Sequence, residues 1–235
     1  MQPPAKSFAQ TDPSQEGHMS STRAPDPHQG QPVAQAGAAL NQAKAAVILL
    51  HGRGAGTADI MTLVPEIHHP DVAFLAPAAA GNSWYPYSFL APIANNEPHL
   101  SSALATLDRL LEEVASHGIS PAQTLLLGFS QGACLTLEYG ARHAQRYGGL
   151  VGLSGGLIGP PGTTWNFAPR LDDTPVFLGC SDVDPHIPLQ RVDESADALT
   201  ALGAQVTKRI YRSMGHTVNG DELDKVRQML ADLLA

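Results

Sequence analysis

Cysteine is scarce, with two in 235 residues. Two thiols cannot build a disulfide framework or a four-cysteine zinc site. Basic side chains are outnumbered, 14 Lys and Arg against 22 Asp and Glu, for a formal net charge of −8. A diffuse acidic balance speaks against nucleic acid, because phosphates call for a basic patch. No apolar run reaches the roughly 18 residues of a membrane span, so no integral membrane association is expected. Repeats are lacking too. What is present is a globular composition, 43% apolar and 15% charged, with 22 Gly and 19 Pro. It implies one domain, with or without a tail, and an acidic intracellular enzyme or binding protein.

Residues 1–43 carry six prolines and seven glutamines, and only scattered apolar residues such as Phe8, Val33 and Leu40. Nothing there repeats at a strand or helix period. Such a segment buries too little apolar area to offset its ordering entropy, so it is expected to be a disordered tail. No apolar stretch follows its basic residues, so it does not read as a signal peptide. The domain is expected to span 44–235.

Inside that span, Ala45-Ala46-Val47-Ile48-Leu49-Leu50 is continuously apolar and runs into His51-Gly52. That is how a strand buried on both faces reads. Similar runs lie at 72–76, 124–127, 149–153 and 176–179. The more polar 205–211 reads as a strand near an edge. Between them, Leu100, Leu104, Leu107, Leu111 and Val114 recur at helical spacing, and 131–143, 189–202 and 221–234 read as further helices. Alternation of this kind predicts an α/β fold, a mostly parallel sheet flanked by helices. Chemistry in such sheets sits beyond the carboxyl ends of the strands.

The pattern Gly-x-Ser-x-Gly occurs twice, around Ser130 and around Ser154. A nucleophile elbow needs a strand, a tight turn and then a helix, whose N-terminus supplies N–H groups and a favourable dipole for an oxyanion. Ser130 satisfies this, with Leu125-Leu126-Leu127 before it and Ala133-Cys134-Leu135 after it. Ser154 is followed by Gly159-Pro160-Pro161-Gly162, which cannot continue as helix. It is expected in a small-residue turn at the floor of the site.

For this chain order the acid and then the histidine must follow the serine. His216, in the loop between the last strand and the last helix, is the expected base. The turn after 176–179 offers Asp182 and Asp184. Pro185 would stiffen the turn after Asp184, which is favoured; Asp182 is expected to hydrogen-bond within the turn. The oxyanion donors would be the backbone N–H groups of Arg53, in the loop His51-Gly52-Arg53-Gly54, and of Gln131. The Arg53 side chain is expected to meet solvent or a surface aspartate rather than a substrate carboxylate. His51 reads as a structural histidine tying loops together. Trp84, Tyr85 and Phe89, with Tyr87 and Leu90, are expected to line the acyl or alcohol pocket, with packing of that loop onto the core as the alternative. Cys134 reads as buried and inert, and His68-His69 as loop rather than metal pair.

Taken in order, His51-Gly52-Arg53-Gly54, Gly128-Phe129-Ser130-Gln131-Gly132, Asp184-Pro185-His186-Ile187-Pro188 and Gly215-His216 resemble the phospholipase/carboxylesterase family of the α/β-hydrolase superfamily, which includes acyl-protein thioesterases. The resemblance covers 44–235. It implies a cytoplasmic serine hydrolase, monomeric or homodimeric, that acts on a small-molecule ester or thioester with no cofactor and no metal. The implied triad is Ser130, Asp184 and His216. Two features depart from the thioesterase pattern: the long aromatic loop at 80–89, and Arg53 where an apolar residue is common. Both fit a bacterial esterase branch. No long apolar insertion separates Ser130 from His216, so no large cap domain is expected, and an open site suits short- to medium-chain esters. Acyltransferase activity on the same triad and a non-catalytic binding protein remain as alternatives.

Overall fold

The computed structural model describes residues 25–167 and 170–235, together with Met1. Its centre is the strand β2 (Ala45–Leu50), buried at every residue. Apolar side chains on both faces of a strand demand cover on both faces. Ala46, Ile48 and Leu50 enter one core, while Ala45, Val47 and Leu49 enter the other.

Around it stand β1 (Val33–Gly37), β3 (Val72–Pro77), β4 (Thr124–Phe129), β5 (Gly149–Leu153), β6 (Pro175–Ser181) and β7 (Gln205–Tyr211). They form one seven-stranded sheet in the order β1-β3-β2-β4-β5-β6-β7. All pairings are parallel except β1 with β3. The helices are α1 (Thr57–Met61), α2 (Val64–Ile67), α3 (His99–Ser116), α4 (Gln131–Arg142), α5 (Leu189–Ala201) and α6 (Gly220–Leu234). Leu100, Leu107, Leu135, Leu137, Val192 and Leu199 of α3, α4 and α5 close one core. Ile60, Val64, Ile67, Val226, Met229 and Leu230 of α1, α2 and α6 close the other. The polar strand β7 lies at the sheet edge, as its composition implies.

The expected boundary at residue 44 needs correction. β1 pairs along its whole length with β3, from Val33 opposite Pro77 to Gly37 opposite Ala73. Upstream of it, His28 is buried and Asp26 pairs with Arg109 at 2.9 Å. The ordered fold therefore reaches into the segment read as a tail. That segment is too short and polar to fold alone; the open edge of β3 supplies the hydrogen bonds its own sequence does not announce. Residues 2–24 of the expected tail lie outside the described residues. Among the described residues no helical insertion interrupts the path from β4 to α6, and no helix is long and apolar enough to cross a membrane.

Candidate active site

The parallel strands all point their carboxyl ends the same way, so the loops after β2, β4, β6 and β7 gather on one edge. Ser130 sits between β4 and α4 with φ 55° and ψ −119°. This left-handed conformation is costly for a non-glycine residue and marks an elbow held by its surroundings. Its N–H bonds the Leu153 carbonyl at 2.9 Å. The glycines on either side permit the turn by close approach. A Cβ at Gly132 would lie 2.1 Å from the Leu50 oxygen, and one at Gly128 would lie 2.2 Å from Gly132.

Ser130 Oγ donates to His216 Nε2 at 2.8 Å, and His216 Nδ1–H donates to Asp184 Oδ2 at 2.7 Å. The second carboxylate oxygen of Asp184 accepts the backbone N–H groups of His186 at 2.8 Å and Ile187 at 3.1 Å. Burial alone would raise the Asp184 pKa, but the hydrogen bonds from His216 and these two N–H groups outweigh it and hold the carboxyl below its ordinary value. The His216 ring packs against Phe129 and His186, with centroids 4.9 and 4.8 Å away. An acid, an imidazole and a hydroxyl thus stand in line, from three separate loops.

Asp182 is placed elsewhere. Its carboxylate accepts the N–H of Ser213 at 2.7 Å, and its own N–H reaches the Tyr211 oxygen at 3.1 Å. It ties the acid loop to the histidine loop, rather than bonding within its own turn as expected. Ser154 is fully buried, at φ 53°, with its N–H on Gly179.

Gln131 opens α4, so its N–H has no intrahelical acceptor. Among the described residues, neither this N–H nor that of Arg53 has a backbone acceptor. His51 behind them is buried: its Nδ1–H donates to Gly52 O at 2.8 Å and its Nε2 accepts from Ala79 N at 3.1 Å. Burial lowers its pKa, which suits the neutral ring this pairing requires. It joins two loops, as the sequence implies.

A cavity of about 470 Å³ opens over Ser130, within the range of small-molecule sites. Tyr85, Phe89, Phe129, Cys134 and Ile187 supply apolar wall, and Arg53, Gln131, His186 and His216 supply polar groups. Tyr85 and Phe89, two of the aromatics singled out in the sequence, are among the cavity's lining residues. Trp84 is not. It is wholly buried, its indole N–H donates to the His51 oxygen at 2.9 Å, and its ring packs at a tilt against those of His51 and His28, with centroids 5.0 and 5.6 Å away. An indole N–H needs an acceptor when buried, and the backbone beneath the loop provides one. Cys134 borders the cavity with its thiol pushed up to about 12 by burial, which leaves it protonated and unreactive.

The Arg53 side chain meets neither solvent alone nor an aspartate. It donates to Ser83 Oγ at 3.1 Å, Pro86 O at 2.8 Å and Tyr87 O at 2.5 Å. Sequence reasoning also missed His28, whose ring bonds Trp84 O at 2.9 Å and Ala80 N at 3.0 Å. Neither partnership has a local signal, because nearly all the partners are carbonyl or amide groups far along the chain.

A model of the phospholipase/carboxylesterase family matches residues 33–234. The crystal structure of a phospholipase/carboxylesterase from Dyadobacter fermentans is 41% identical, with a TM-score of 0.83, over 89% of this chain and all of that one. Esterase PE8 is 29% identical with a TM-score of 0.69, over 86% and 98% of the two chains. Acyl-protein thioesterase 1 of Gibberella zeae is 33% identical over 127 residues, 52% of each chain. The match spans about half the length of that relative.

Proposed function

This chain belongs to the phospholipase/carboxylesterase family, and we propose that it is a serine carboxylesterase acting on short- to medium-chain esters through an acyl-enzyme at Ser130. One observation carries the reading: the unbroken line from Asp184 through His216 to Ser130, at 2.7 and 2.8 Å. Asp184 fixes His216 with its proton on Nδ1, leaving Nε2 free to accept. As Ser130 Oγ attacks the ester carbonyl, Nε2 takes the hydroxyl proton. The carbonyl oxygen becomes an oxyanion held by the N–H groups of Arg53 and Gln131, each worth about 3 kcal/mol at the transition state. Collapse breaks the acyl–oxygen bond, and the alcohol departs with the proton from Nε2. Water then repeats the sequence on the acyl-enzyme, releasing the acid and restoring Ser130.

The preference for smaller esters is supported by the open cavity of about 470 Å³ and by the direct path from β4 to α6, which carries no helical cap among the described residues. The likeness to acyl-protein thioesterases supports a second reading, thioester cleavage on the same triad. The proposal includes a cytoplasmic setting, supported by two free, buried cysteines. A small-molecule substrate and a monomeric or homodimeric state come with the family reading.

The test is hydrolysis of p-nitrophenyl acetate, butyrate, octanoate and palmitate by the wild type and by Ser130→Ala, with acyl-thiocholines alongside. Turnover of the shorter esters that vanishes in the variant is expected. A folded wild type that turns over none of them, and whose Ser130 a fluorophosphonate does not label, would refute the proposal.

A further inference from the structure

The two residues whose N–H groups are assigned to the oxyanion hole both direct their side chains at one loop. Gln131 Oε1 accepts the Trp84 N–H at 3.0 Å, and its Nε2 donates to the Tyr85 oxygen at 2.8 Å. The Arg53 guanidinium takes the next stretch, donating to Pro86 O at 2.8 Å, Tyr87 O at 2.5 Å and Ser83 Oγ at 3.1 Å. It also lies 5.8 Å from the Tyr85 ring centroid. One residue further, Gly54 N reaches Asn82 O at 2.8 Å. At its far end the loop is tied by Asn96, which accepts from Tyr87 N at 2.9 Å and donates to Ser88 O at 3.1 Å. The segment so held, Tyr85 to Phe89, forms one wall of the cavity over Ser130.

We infer that Arg53 is a specificity-determining positioning residue, whose guanidinium fork sets the distance between the oxyanion donors and the aromatic wall and so selects the size of the acyl or alcohol group. The inference rests on the serine-esterase reading of the site. Pro86 and Tyr87 lie outside every strand and helix, so the guanidinium supplies the donors that regular structure would otherwise give their carbonyls. Two carbonyls on consecutive residues match a planar fork, whereas an ammonium satisfies one at a time. With Nη1 and Nη2 on these oxygens, the guanidinium is committed to the wall of the cavity. A group that fills the cavity leans on that wall; an acetyl group barely touches it.

The experiment measures kcat and KM for p-nitrophenyl acetate, butyrate and octanoate with wild type, Arg53→Ala and Arg53→Lys. Hydrogen–deuterium exchange over residues 83–90 is followed in each. In Arg53→Ala, kcat/KM for octanoate is expected to fall about tenfold more than for acetate, the scale of a lost charge-assisted pair partly open to water. The change should fall mainly on KM, exchange in 83–90 should rise, and added guanidinium should restore part of the octanoate rate. Arg53→Lys should fall between, and it carries the test if the alanine variant does not fold. Equal losses for all three esters, or a lysine variant identical to wild type in profile and exchange, would overturn the inference while leaving the serine-esterase reading intact. A wild type whose Ser130 resists fluorophosphonate would overturn both.

Discussion

Replacing Asp184 by Asn keeps the size of the side chain and removes only charge and one acceptor. The effect on catalysis depends on which way the amide turns. One carboxylate oxygen accepts two backbone N–H groups, from His186 at 2.8 Å and Ile187 at 3.1 Å. The amide oxygen can satisfy both; the amide NH2 can satisfy neither and would meet them donor to donor. The oxygen is therefore pinned to the loop, and the NH2 is turned on His216, where Oδ2 stood 2.7 Å from Nδ1. His216 must then present a bare Nδ1 and carry its proton on Nε2, facing Ser130 Oγ. In that tautomer it cannot accept the hydroxyl proton. The expected loss in kcat is on the order of 10⁴, about 5.5 kcal/mol of barrier. Unfolding by urea should show a far smaller change, since both loop hydrogen bonds persist. Asp182→Asn is the control: among the described residues its carboxylate holds only Ser213 N, and kcat should fall less than tenfold. Steady-state hydrolysis of p-nitrophenyl butyrate measures both. A loss below tenfold in Asp184→Asn, or a larger one in Asp182→Asn, would refute the assignment of Asp184 as the partner of His216.

Two further expectations concern the scaffold. Trp84→Ala empties a fully buried site between His51 and His28 and should cost about 3–5 kcal/mol in urea unfolding. Any surviving activity should drop by a similar factor for acetate, butyrate and octanoate, because Trp84 does not face the cavity. Glu222 is fully buried, caps α6 by accepting Asn219 N at 2.9 Å, and has no hydrogen-bond partner for Oε1 among the described residues. Burial raises its pKa to about 7, against the opposing hydrogen bond from Asn219. Its folded pKa stands above the unfolded one, so folded protein binds this proton more tightly. Stability contributed by the protonated form is lost as pH rises from about 4.5 to about 7. Glu222→Gln should remove that slope. Relative to wild type the variant should gain up to about 3 kcal/mol between pH 4.5 and 8, read from urea midpoints. A wild type and variant with parallel pH profiles would show that Glu222 titrates as an exposed carboxyl does.

Sequence alone determined those parts of this protein whose causes are local. Runs such as Ala45–Leu50 are apolar at every position, short and followed closely by glycine, so they read as strands covered on both faces, with the alternating helices laid across them. The Gly128 to Gly132 elbow is legible because each glycine is demanded by a neighbour within five residues or by the adjacent strand. The order of Ser130, the acidic turn and His216 follows from which loops end on the same sheet edge. Tertiary structure decided the rest. β1 is too polar to declare itself and exists because β3 has an open edge. Asp184 and Asp182 are chemically alike two residues apart, and only the position of His216 and Ser213 gives them different work. Trp84 and Tyr85 are adjacent aromatics, yet one packs against His51 beneath the loop and the other walls the cavity. The fork of Arg53 finds backbone carbonyls some thirty residues away. Backbone carbonyls look the same in every sequence, so a side chain that binds them leaves no pattern until the chain has folded.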